Sequence, residues 1–181
     1  MPGNAQTLGL LPGTLYFAPL GSVEPTDLVT PWDAAWVELG YTEEGSEFTV
    51  EHSMGEVMAA EEVDPIHLEL DTRKVKLALV ALQYTITNLV RAYNGGTVNH
   101  GSGFAVVEPP APGVDVYRML GHQSFDGTER HVFRKGKQAG NVAIGRKRGP
   151  NSAKLPMEYQ FVAPAHNVRP WVDIMATPLR A

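Results

Sequence analysis

Six histidines (His52, His67, His100, His122, His131 and His166) and two adjacent acid pairs (Glu43-Glu44 and Glu61-Glu62) are the side chains that could hold a metal or move protons. Their spacing argues against both roles. No two histidines stand in the H-E-x-x-H arrangement that puts two ligands on one helical face, and the chain has no cysteine to complete a zinc site. His131 follows Arg130 and reads as a strand-face residue rather than a base. Neighbouring carboxylates on a strand point to opposite faces, which is poor geometry for a shared acid/base site, so both acid pairs read as a solvated face or a subunit contact. Ser124 lies outside a G-x-S-x-G turn. The segment from Gly140 to Lys147 has the two glycines of a phosphate loop, but Arg146 follows the second glycine where lysine should stand, and no Ser or Thr comes next to bind magnesium. It also alternates like a strand and opens no helix. The expectation is a non-enzyme with no catalytic residue, no cofactor and no metal.

Charge is the informative pattern. The first 72 residues carry fourteen acids and no lysine or arginine, while the remainder carries all fifteen bases and six acids; a formal −14 against +9 nets to −5. Chains of unlike-signed halves can meet head to tail, acid on one copy against base on the next. The alternative is that the halves interleave as neighbouring strands and neutralise each other within one copy. The acidic candidates for contact between copies are Glu56, Glu61, Glu62 and Asp64. The basic candidates are Arg130, Arg134, Lys135, Lys137, Arg146, Lys147 and Arg148. Such a basic cluster rewards phosphate contact, but no aromatic ladder interleaves with it for single strands and no helix is available for a major groove. A partner bearing carboxylates fits better. Trp32, Trp36 and Trp171 could stack on a sugar, but isolated tryptophans more often anchor a core or an interface.

The elements that must position these residues are mostly strands. At 181 residues, with 43% hydrophobic and 19% charged side chains, the chain suits one folded domain. Its 18 glycines and 14 prolines are spread along it, which favours many short strands joined by turns. No apolar run is long enough to span a bilayer, and the start, with Pro2, Gly3, Asn4 and Gln6, reads as an arm rather than a signal peptide. The organisation expected is an N-terminal arm over 1–13, one domain over 14–176 with a long loop at 52–65, and a C-terminal tail over 177–181. Strands are expected at Thr14–Pro19, Trp36–Thr42 (Val37, Leu39 and Tyr41 on one face), Glu47–Glu51, Ile66–Asp71 and Lys74–Gln83. One helix follows, capped by Thr85, with a stripe of Ile86, Leu89, Val90 and Tyr93 and a left-handed stop at Asn94-Gly95-Gly96. A short run at Phe104–Val107 lies between glycine- and proline-marked loops. Later strands are expected at Val116–His122, His131–Arg134, Gln138–Lys147, Met157–Ala163 and Trp171–Met175, with a hairpin turning near Gly136. This order suggests a mainly β fold, an antiparallel sandwich or barrel with one flanking α-helix.

Four stretches carry a resemblance: Pro12-Gly13-Thr14-Leu15-Tyr16-Phe17-Ala18-Pro19-Leu20-Gly21; Trp36-Val37-Glu38-Leu39-Gly40-Tyr41-Thr42-Glu43-Glu44-Gly45; Thr85 through Gly96; and Phe125-Asp126-Gly127-Thr128-Glu129-Arg130-His131-Val132-Phe133. With them the chain resembles, over nearly its whole length, the major tail (tail tube) proteins of long-tailed, non-contractile phages (siphophages), of the kind found in actinobacterial phages. The resemblance implies two packed antiparallel sheets, a flanking helix and a long loop between early strands that reaches a neighbour. It implies a virion protein with no catalytic role, made in the host cytoplasm, whose copies close into hexameric rings stacked around a tape measure protein. Its partners would be itself, the tail terminator, and distal tail or baseplate proteins. Genomic double-stranded DNA would pass through the lumen unbound, and no membrane is involved. A tail terminator or distal tail ring subunit of the same fold is the alternative. A conduit must not hold its cargo, so acidic side chains are expected on the inner wall, with the Arg130–Arg148 cluster at ring contacts or outside.

Overall fold

The computed structural model describes residues 12–58, 60, 63–145 and 153–176. The elements in chain order are β1 (Gly13–Pro19), β2 (Val37–Glu38), β3 (Thr42–Val57), β4 (His67–Ala81), α1 (Ile86–Ala92), β5 (Thr97–His100), β6 (Ala105–Glu108), β7 (Arg118–Ser124), β8 (Glu129–Gln138), β9 (Leu155–Phe161) and β10 (Trp171–Met175). All strand pairs are antiparallel. The large sheet runs β2-β1-β7-β8-β9-β4-β3, and β5 and β6 form a separate hairpin. The fold is therefore the mainly β, helix-flanked sandwich expected from the sequence.

Strand β8 makes the sandwich. Its first half pairs with β10, from Met175 opposite Glu129 to Trp171 opposite Phe133. Its last residues, Gly136 to Gln138, pair with β9. One strand thus belongs to both layers, and the switch falls at Arg134 and Lys135, whose backbone bonds go to Pro170 and Val162 respectively. The layers fold over each other until Phe48 of β3 lies edge-on to Phe133 and Trp171, with ring centroids 5.0 and 5.7 Å apart. Between them sits the main core, built by Leu15 and Phe17, by Val75, Leu77, Leu79 and Ala81, and by Leu155, Met157, Tyr159 and Phe161. The strict alternation of Val75 to Ala81 and of Leu155 to Phe161 is what two half-buried strands require.

The outer face of β1, β7 and β8 is covered as well. The connection from β1 to β2 lays Trp32 and Trp36 over it. Trp32 stacks on Tyr16 with centroids 4.7 Å apart and donates to Gln123 Oε1 at 2.7 Å. A Cβ on Gly121 would meet both indole rings, so that glycine leaves room for the lid. This places Trp36 and Leu39 in the interior and leaves Val37 and Tyr41 exposed, so the face expected to carry Val37, Leu39 and Tyr41 together is split. The reason is that β2 is only two residues long. After Glu38 the chain leaves the ladder, Leu39 bonds back to Leu15, and Gly40 turns it with φ +91°.

The helix forms as expected but turns another face inward. Thr85 Oγ1 accepts from the Asn88 amide at 3.2 Å, and the chain stops through Asn94 (φ 62°), Gly95 (φ 119°) and Gly96 (φ 120°). The buried residues are Asn88, Arg91 and Ala92, whereas Ile86 is exposed. Periodicity marked an apolar stripe, but the inward face is set by polar contacts: Asn88 Nδ2 donates to Leu39 O at 3.1 Å and Gln83 O at 3.0 Å.

Three other expectations are corrected. Residues 52–57 are not loop, because β3 continues to Val57. Gly136 is not a turn, because β8 runs through it to Gln138 and its missing side chain makes room for the Phe161 ring. Residues 139–145 form no strand; Val142 and Ile144 pack against the core from an irregular segment. The expected terminal arms lie outside the described residues, apart from Pro12 and from Gly13, which opens β1.

Candidate self-association surfaces

The hairpin of β3 and β4 is longer than the body it belongs to. Among the described residues β4 pairs with β9 only from Val75 to Ala81, and from His67 to Lys74 it pairs with β3 alone. Residues Glu51–Val57 and their partners therefore form an arm, about 20 Å long at strand spacing. Its phase is set by a bulge. The core-facing residues of β4 are odd-numbered (Val75, Leu77, Leu79), while the apolar residues nearer the tip are even (Leu68, Leu70). The register steps from Ser53 opposite Thr72 to Met54 opposite Leu70, so Asp71 is the extra residue. The bulge keeps Met54, Leu68 and Leu70 on the face that continues the core-facing side of Phe48 and Val50. All three are about half exposed, and Glu56, which pairs with Leu68 on the same face, is exposed too. Removing such an apolar face from water calls for a partner.

Open strand edges, those of β2 and β3 among them, add to this. Among the described residues, β3 pairs only with β4 and β2 only with β1, so each leaves one side of its ladder unpaired.

The charged candidates divide sharply. Glu56 and Asp64 are exposed on the arm and in its end connection. Glu61, Glu62, Arg146, Lys147 and Arg148 lie outside the described residues. Arg130 is 2% exposed and works inside the subunit. Its Nη1 donates to Asp27 O at 2.8 Å and Thr30 O at 2.7 Å, and its guanidinium lies 5.4 Å from the Trp32 ring centroid. Arg134 grips Glu24 through Nε at 2.7 Å and Nη2 at 2.8 Å, and this carboxylate raises its pKa above the ordinary arginine value. Lys137 pairs with Asp115, and Lys135 lies over the Tyr117 ring. Two further pairs join the early acids to later bases, Glu51 with Lys76 at 2.7 Å and Glu43 with Lys154. Part of the two-signed charge is thus cancelled within one copy; among the described candidates Glu56, Asp64 and Lys135 form no ion pair there.

His131 is tied up in the same way. Its Nδ1 is 2.7 Å from Asp173 Oδ1 and its Nε2 is 3.6 Å from Glu129. The hydrogen bond to Asp173 raises the imidazole pKa, and the same bond lowers that of Asp173. Among the described residues no three histidine or acidic side chains converge as metal ligands would. Among the same residues no helix is long and apolar enough to cross a membrane.

Sequence reasoning missed the arm because its acids and small residues masked the alternation. The usable signal was the phase change between Leu70 and Val75, which demands a bulge in a continuing strand. A search of curated proteins finds no match to the sequence. A match to the phage tail tube protein family runs over residues 4–178. The chain belongs to that family, whose members are structural proteins of the phage tail.

Proposed function

We propose that this protein is the repeating subunit of a tail tube, closing into rings that stack to enclose a DNA channel. The observation that carries the reading is the arm: a long hairpin whose apolar face has no cover among the described residues of its own copy. A neighbouring subunit supplies that cover at the smallest cost, because every copy brings both the arm and a surface to receive it. The open edges of β2 and β3 support closure, since strands joined around a ring leave no exposed ladder. Six copies per ring, assembly around a tape measure protein in the host cytoplasm, and contact with a tail terminator and distal tail proteins follow from the tail tube resemblance. Carboxylates facing the lumen would let duplex DNA slide, and the pairing of Arg134 and Lys137 with acids in their own copy leaves fewer cations to hold it.

Negative-stain microscopy of concentrated protein tests this, together with particle mass across concentration and salt. Long tubes are expected. Discrete rings without filaments would move the assignment to a terminator or distal tail ring subunit. A chain that stays monomeric at every concentration would overturn it.

A further inference from the structure

Beside α1 lies an open groove of about 540 Å³, walled by Phe17, Ile86, Val90 and Val98 and carrying two guanidinium groups, Arg91 and Arg118. The groove is mostly apolar, yet among the described residues neither arginine forms an ion pair. Arg91 is buried over the Phe17 ring at 4.6 Å and is held by the neutral Asn88 amide at 2.8 Å. Burial, with the nearby Arg118 charge, brings its pKa down to about 10. Arg118 has a buried Nε with no hydrogen-bond partner. Two like charges beside apolar walls, one with an unmatched donor, are unfavourable until an anion arrives. The fitting anion is one that brings its own apolar surroundings.

The arm carries such a group. Glu56 stands on the face shared by Met54, Leu68 and Leu70, a carboxylate set among exposed apolar side chains. Groove and arm are complementary twice over, apolar against apolar and carboxylate against guanidinium. They are also different surfaces, so a contact between them is heterologous and propagates from copy to copy. We propose that the groove beside α1 receives the Glu56-bearing face of the arm of a second copy, with the carboxylate meeting Arg118. This rests on the tube reading and names the acceptor that the reading leaves open.

The test is a charge swap in the full-length chain, scored by the protein concentration at which tubes first appear. Glu56→Lys and Arg118→Glu should each raise that threshold roughly tenfold or more, the scale of one lost charge-assisted contact repeated in every subunit. The double variant should return to within a few-fold of wild type. Glu56 is exposed, so its variant does not endanger folding; Arg118→Glu is checked by thermal melting, and Val98→Lys, which blocks the groove, replaces it if the melt is lost. Single variants that assemble at the wild-type threshold overturn the contact and leave the tube reading intact. Defective singles with no recovery in the double overturn the pairing. Wild-type protein that never assembles overturns the tube reading, and this contact with it.

Discussion

Arg130→Met separates a folding role for this arginine from a role between subunits. Arg130 sits in the basic stretch that the sequence marks as a contact, yet it is buried and its Nη1 holds two carbonyls of the β1–β2 connection. Each bond is charge-assisted, and about 1.5 kcal/mol apiece is the fitting end of the range, because Asp27 and Thr30 are themselves exposed. The contact with the Trp32 ring adds about 0.5 kcal/mol. Against this, the guanidinium has no carboxylate partner among the described residues and its Nε is buried and unbonded, so removing the charge relieves about 1 kcal/mol of desolvation. The net loss is about 2.5 kcal/mol. Methionine keeps an unbranched apolar stem of similar length. With a urea slope of roughly 2 kcal/mol per molar for a chain of this size, the unfolding midpoint of the monomer should fall by about 1 M. Equilibrium urea unfolding at a concentration below assembly measures it. A midpoint within 0.2 M of wild type (~0.4 kcal/mol at that slope), with tube formation impaired, would refute the argument and restore Arg130 as a contact between copies.

Other consequences are equally direct. The His131–Asp173 pair gives stability that is full below the ordinary imidazole range and is lost as pH rises through the raised folded value; the Asp173 part is full above the ordinary carboxylate range and is lost on acidification through its lowered value. Stability should therefore fall between pH 6 and pH 8 by about 0.5 kcal/mol, a figure reduced for solvent screening because Asp173 is 37% exposed. Asp173→Asn should flatten that slope in urea titrations, and an unchanged slope would count against the pair. Asn88→Ala removes the donor for Leu39 O and Gln83 O and the acceptor for Arg91, so it should lower stability by about 2–3 kcal/mol in the same assay. A loss under ~0.5 kcal/mol would mean water replaces the amide. Leu70→Asp, about half exposed in the single copy, should leave the monomer melt unchanged and abolish tubes; tubes of normal length would show that the arm face stays uncovered.

Periodicity made much of the fold readable. The alternation in β4 and β9, the Thr85 cap and the Asn94-Gly95-Gly96 stop are local signals, because they depend on backbone geometry within a few residues. The same local logic failed where distant groups decide. Trp36 is interior because its indole N–H reaches Val23 O at 2.7 Å and its ring packs on β7, neither of which a strand pattern encodes. Helix α1 buries Asn88 and Arg91 because the Leu39 carbonyl and the Phe17 ring lie opposite them. The charge segregation was visible from composition, but its meaning was not. Only the folded chain sets Glu24 against Arg134 and Glu51 against Lys76, and so decides which charges remain for a neighbour. By itself the sequence determined a β-rich chain, its one helix and the family to which it belongs. The tertiary structure decided that residues 52–57 extend an arm instead of a loop, and which of its faces is left bare, because pairing register and long-range packing are properties of strands brought together.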